Sequence, residues 1–78
     1  MSEYRLDIIE DIKLGDYSSI HDYMGIIEQN DKFTITSKMK NNEEIGILCK
    51  ILENNYFTIV EQRSMENGKY SITSQKKK

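Results

Sequence analysis

The sequence predicts an α+β fold, with three helices and a small three-stranded antiparallel sheet in a single domain over residues 1–78. Apolar residues recur at helical spacing in three segments, and they alternate with polar residues in three others. Asn67-Gly68 separates the last two alternating segments. Asn-Gly is typical of a β-hairpin, because both central residues of a type I′ turn need positive φ. A chain of 78 residues holds one small core.

Two helices are predicted in the N-terminal half. The first runs from Ser2 to Leu14, because its apolar residues repeat every fourth position: Tyr4, Ile8 and Ile12, with Ile9 beside them. The second begins at a cap supplied by Ser18 or Ser19. Its apolar residues lie at i, i+3, i+4 and i+7: Ile20, Tyr23, Met24 and Ile27.

The third helix is predicted after Asn41 or Asn42, with Asn54-Asn55 as its stop, since Asn tolerates the left-handed conformation. Three strands are expected over 32–36, 56–60 and 69–73. Each turns an aromatic ring and an isoleucine onto the helices. The predicted core comprises Ile8, Ile9, Ile12, Ile20, Met24, Ile27, Phe33, Ile35, Ile45, Leu48, Leu52, Phe57, Ile59, Tyr70 and Ile72.

The C-terminal part of the chain resembles the winged helix-turn-helix family. The similarity lies in a Leu/Ile-rich helix end at Leu48, Ile51 and Leu52, an Asn55-Tyr56-Phe57 corner, the Asn67-Gly68 hairpin tip and the closing strand Tyr70-Ser71-Ile72-Thr73. The N-terminal half matches that family only in its helical pattern. The resemblance implies a winged-helix fold, DNA binding and a role in transcription regulation.

The composition excludes several other classes of protein. One cysteine and one histidine cannot provide the ligands of a structural zinc site, and no cofactor is expected. The four glycines form no phosphate-binding loop. His21 and Asp22 are neighbours on a predicted helix and point apart, so we expect no enzyme activity. The absence of a long apolar run predicts a cytoplasmic protein without membrane contact.

The overall charge of −2 conceals two halves of opposite sign. Residues 1–31 carry eight acids against two bases, a net charge of −6. Residues 32–78 carry nine bases against five acids, a net charge of +4. The C-terminal half therefore suits a polyanion, and double-stranded DNA is the predicted partner.

The predicted DNA contacts fall into three groups. Lys38, Lys40, Asn41 and Asn42 lie where a recognition helix would begin; Arg63 and Lys69 flank the hairpin tip; Lys76 and Lys77 belong to a basic tail at 75–78. Lysines neutralise phosphates, and asparagine can pair with adenine. Because one such domain contacts little DNA, a homodimer is favoured.

An adaptor that binds another protein is the alternative. Glu43 and Glu44 would face phosphates at the start of the predicted recognition helix, which weakens the case for DNA. The acidic N-terminal helices would then form the partner surface. The aromatic anchors of that surface would be Tyr4, Tyr17 and Tyr23, unless these residues fill the core.

Overall fold

The structure is a computed structural model that describes residues 2–8, 13–38 and 42–77, with the side chains of Asn42 and Asn67 outside the description. In chain order the elements are β1 (Glu3–Asp7), α1 (Leu14–Ile26), β2 (Lys32–Lys38), α2 (Asn42–Asn54), β3 (Phe57–Ser64), a 3-10 turn (Glu66–Gly68) and β4 (Lys69–Lys76). The predicted fold of three helices and a three-stranded antiparallel sheet is wrong. Over the described ranges the chain forms two α-helices and one four-stranded mixed sheet.

The sheet has the strand order β1-β2-β4-β3. β1 pairs in parallel with β2, whereas β4 is antiparallel to both of its neighbours. Consequently α1 and α2 each connect parallel strands, and both connections step across the sheet in one direction. Connections of one hand that step in one direction place their helices on the same face. The other face of the sheet is left without helices.

The core lies between the two helices and one face of the sheet. Its buried hydrophobic residues come from both helices and every strand or strand end: Ile8, Ile20, Met24, Ile27, Phe33, Ile35, Leu48, Leu52, Phe57 and Ile72. All ten were predicted. Ile45, Ile59 and Tyr70 are partly buried against this core. The predicted core residues Ile9 and Ile12 lie outside the described residues.

The prediction of a helix from Ser2 to Leu14 is wrong, because its first part forms the strand β1. In a strand, every second residue lies on the same face. Residues four positions apart, such as Tyr4 and Ile8, therefore share one face in a strand as well as in a helix. Leu6 lies between them and completes the period of two. The parallel partner β2, which is remote in sequence, decides between the two structures. Residues 9–12 of the prediction lie outside the described part.

The helix ends also differ from the predictions. α1 begins four residues before Ser18, where the Lys13 backbone N–H donates to the Asp16 carboxylate at 2.8 Å. α2 ends near the predicted Asn pair, and Asn55 Nδ2 donates to the Ile51 carbonyl at 2.7 Å. The left-handed residue there is Tyr56, with φ of 69°.

The predicted hairpin is present, but its turn is of another type. Met65 N donates to the Lys69 carbonyl at 2.7 Å, which closes a three-residue loop. Gly68 occupies the left-handed region with φ of 74°. A three-residue loop with glycine in this position is a common alternative to the two-residue type I′ turn that the sequence predicts.

Candidate nucleic-acid interface

The face of the sheet that carries no helix is polar, and we call it the open face. Alternation along β1, β2 and β4 places their apolar side chains toward the helices, so the open face of these three strands carries polar residues. Thr34 and Thr73 meet there across β2 and β4, with their hydroxyl oxygens 3.2 Å apart. The charged residues that the register assigns to the open face are Glu3, Arg5, Asp7, Lys32, Lys38, Glu61, Arg63 and Lys69. Their sum is +2.

Three of the predicted DNA contacts come together at one corner of the open face. Lys38, the last residue of β2, lies directly opposite Lys69, the first residue of β4. Arg63 on β3 is paired with Ser71, so it lies diagonally next to Lys69. We call Lys38, Arg63 and Lys69 the basic corner.

The charges of the basic corner are weakly compensated. Arg63 forms a salt bridge with Glu61 at 3.4 Å, and both side chains are exposed. Within the described chain, Lys38 and Lys69 have no salt-bridge partner. Directly opposed like charges on neighbouring strands destabilise a sheet, because their Cβ atoms are only about 5 Å apart.

The hairpin next to the basic corner projects beyond the helices. Residues 60–66 are all exposed, including Gln62 and Ser64, whose register assigns them to the helix side of the sheet. The helices therefore do not cover this end of β3. We call residues 60–71 the hairpin arm. Residues 69–71 of the arm also pair with the end of β2, and Arg63 and Lys69 lie on the open face.

Lys76, another predicted DNA contact, has a different environment. Its Nζ donates to the carbonyl oxygens of Ile27 at 2.8 Å and Met24 at 3.3 Å, at the C-terminal end of α1. It also lies 5.9 Å from the centre of the Phe57 ring. A lysine in this position satisfies carbonyls that the helix leaves unpaired. The side chain of Lys76 is thus on the helix side, at the end of β4 remote from the basic corner.

The remaining predicted contacts do not join the corner. Lys77 is exposed beside Tyr56, whose carbonyl accepts from the Lys77 backbone N–H at 2.8 Å. Lys69 and Lys76 are seven positions apart in β4, a distance of about 23 Å in a strand. Lys40 and Asn41 lie outside the described residues, and Asn42 is described only as the first residue of α2.

Charge is divided between the two layers of the molecule. α1 contains Asp16 and Asp22 and no base, while α2 contains three acids and only Lys50 as a base. The two helices therefore sum to −4, against +2 on the open face. The division by sequence halves is only approximate, because Asp7 lies on the open face.

The tyrosines of the adaptor alternative belong to the core. Tyr4, Tyr17 and Tyr23 are partly buried and pack against the buried cluster. The Tyr23 ring stacks on the Phe33 ring, with centroids 5.5 Å apart and planes at 13°. Since their rings are engaged in the protein, they do not form an aromatic docking surface.

Other reactive groups lie apart from one another. Cys49 is partly buried on α2, and burial raises the pKa of its thiol, with a further contribution from Glu53. His21 is exposed on α1. Among the described residues, no group of three or more His, Cys, Asp or Glu side chains could hold a metal ion. None of the described helices has the length and hydrophobicity required to span a membrane.

Comparison with models of protein families, with curated proteins and with solved structures found no match to this chain.

Proposed function

We propose that this protein is a non-enzymatic DNA-binding protein that contacts the phosphates of double-stranded DNA through the basic corner. The observation that carries the proposal is the pair of directly opposed lysines, Lys38 and Lys69. The winged-helix architecture plays no part in it. The contact surface is instead one end of a sheet.

The position of the two lysines supports a binding role. Lysines on edge strands protect a sheet from pairing with other chains, but β2 and β4 are the two central strands. Two cations about 7 Å apart near a protein surface repel each other by roughly 1–2 kcal/mol. A phosphate between them would turn this repulsion into attraction. The lysines are thus suited to bind an anion.

The geometry at the hairpin arm favours contact with the DNA backbone. Residues 69–71 of β4 pair with the end of β2 on one side and with β3 on the other, so this end of the sheet is three strands wide. The basic corner would therefore lie along the phosphates, without insertion of a strand ribbon into a groove. Glu61 and Glu66 balance the charges of Arg63 and Lys69 within the hairpin arm, so we expect weak binding at physiological salt, with Kd of about 10⁻⁴–10⁻⁶ M.

The proposal is tested by titrating fluorescent duplex DNA with the protein at several salt concentrations. Three phosphate contacts predict a slope of about −2.7 for log K against log salt, so affinity should fall about 40-fold between 50 and 200 mM salt. In the double variant Lys38→Gln/Lys69→Gln the slope should be reduced by about 2, because each lost phosphate contact lowers it by about 1.

A matched control removes the same charge elsewhere. Lys32→Gln/Lys77→Gln also loses two positive charges, but these residues lie at the opposite end of the sheet. It should retain the slope of the wild-type protein. Equal losses in the two double variants would show that net charge alone governs binding, and no binding at low salt would refute the proposal.

A second candidate function is an adaptor that binds a basic protein surface through the helix layer. The observation in its favour is the charge of −4 on the two helices, together with Leu14, which is 86% exposed at the start of α1. Asp22→Lys should then abolish capture of a partner from host lysate, whereas Lys38→Gln/Lys69→Gln should leave it unchanged. The opposite pattern would favour DNA.

A further inference from the structure

The outer side of α2 carries a surface depression that is separate from the proposed DNA contact. It has a volume of about 460 Å³ and is lined by Glu43, Gly46, Ile47 and Lys50. These residues follow the spacing i, i+3, i+4 and i+7, which places them on one face of the helix. The buried residues of α2, Leu48 and Leu52, lie on the other side. We call the four lining residues the α2 groove.

The groove is apolar at its centre and charged at its two ends. Ile47 is 49% exposed and is one of six exposed large hydrophobic residues in the described part of the chain. A Cβ added at Gly46 would meet no atom within 4 Å, so the surface beside Ile47 is open. Glu43 and Lys50 have no salt-bridge partner within the described chain.

This arrangement is complementary to itself. Glu43 and Lys50 are each three to four residues from the Gly46-Ile47 centre and about 10 Å apart along the helix. A two-fold axis through that centre would align two α2 helices antiparallel. Glu43 of each copy would then face Lys50 of the other, and each Ile47 would pack on the open surface at Gly46. A two-fold interface requires this kind of self-complementary patch.

We propose that a second copy of this chain occupies the α2 groove, forming an antiparallel α2–α2 homodimer. The charge pattern selects this partner, because each copy supplies a lysine that can pair with Glu43 of the other and a glutamate that can pair with its Lys50. The open faces of both copies remain free in such a dimer. The contact of a single helix is smaller than a standard interface, so the dimer should form reversibly as concentration rises.

Sedimentation velocity over about 10 µM to 1 mM protein tests the proposal. The wild-type protein should pass from monomer to dimer across this range. Glu43→Lys and Lys50→Glu should each weaken self-association at least about tenfold, because either change opposes like charges twice in the dimer. Circular dichroism of each variant checks that the fold is retained.

Mixing the two single variants provides the decisive comparison. In the mixed dimer, lysines at 43 and 50 of one chain would face glutamates at 50 and 43 of the other, so association should recover to the wild-type level. The double variant Glu43→Lys/Lys50→Glu should likewise recover. A wild-type protein that stays monomeric would overturn the proposal and leave the groove to a different partner. Single variants that dimerise normally, or a mixture that does not recover, would also overturn it.

Discussion

Replacement of Lys76 by methionine tests whether this residue holds the fold together or contacts DNA. The sequence places Lys76 in a basic tail, whereas its Nζ donates to two carbonyl oxygens at the end of α1. Methionine keeps the apolar stem that packs near Phe57 but removes the charge and the donors. The change therefore isolates the polar interactions of the lysine.

The expected loss of stability follows from these contacts. A hydrogen bond from a charged group contributes about 1.5–3 kcal/mol, and the 2.8 Å bond to Ile27 is the stronger of the two. A cation at a helix C-terminus contributes about 0.3–1 kcal/mol more. Because the site is only partly buried, we expect a total near 2 kcal/mol. In a domain of this size, that lowers Tm by about 10 °C.

Thermal and urea unfolding of Lys76→Met should be compared with those of Lys77→Met, whose side chain is exposed. Lys77→Met should unfold within about 0.5 kcal/mol of the wild-type protein. At a temperature where both variants are folded, Lys76→Met should bind DNA as the wild-type protein does. Equal stability of the two variants, or a loss of DNA affinity in folded Lys76→Met, would refute the structural role of Lys76.

Three further predictions concern stability. Backbone N–H bonds, chiefly that from Ser2, lower the pKa of the Asp31 carboxyl below its usual 3.8, so the unfolded chain binds the proton more readily and stability should fall as pH drops below 3.8. In Asp31→Asn, the free energy of unfolding should fall less between about pH 5 and pH 2 than in the wild-type protein, and equal pH dependence of the two proteins would contradict the role of Asp31. In urea unfolding, Gly68→Ala should lower the free energy of unfolding by about 1 kcal/mol, because φ of Gly68 is 74°. Gly25→Ala, within a helix, should raise it by about 0.5–1 kcal/mol. The reverse order of stability would contradict both assignments. Leu52→Ala should cost about 2–5 kcal/mol by the same assay, and a loss below 1 kcal/mol would place Leu52 outside the core.

The local elements with one clear period could be predicted from the sequence. β2, β4 and the first half of β3 follow from alternation, and both helices follow from apolar residues at helical spacing. The buried residues could be predicted as well, because the same periods determine which side chains face the interior. β1 could not be predicted, because its Tyr4-Ile8 spacing satisfies two periods and its strand partner lies about 30 residues away. With that strand missed, a mixed sheet could not be distinguished from a winged helix.

The candidate site was predictable only in part. Lys38, Arg63 and Lys69 lie far apart in sequence, and the β2–β4 register is what brings the two lysines together. The sequence does not distinguish Lys76 from Lys77, because both belong to a run of lysines. Only the end of β4 at Lys76 determines which of the two side chains faces the helices. The α2 groove was missed. Its residues follow the spacing i, i+3, i+4 and i+7, but Ile47 is also next in sequence to the buried Leu48, so helical periodicity alone assigns it to the edge of the apolar face.

The most direct test of the basic corner is a ¹H–¹⁵N NMR titration of the full chain with a short DNA duplex at low salt. We predict that the largest shifts fall on the ends of β2 and β4 around Lys38 and Lys69 and on the hairpin arm around Arg63. The amides of α1 and α2 should change little. Shifts concentrated on the helices, or confined to the C-terminal lysines, would contradict the account.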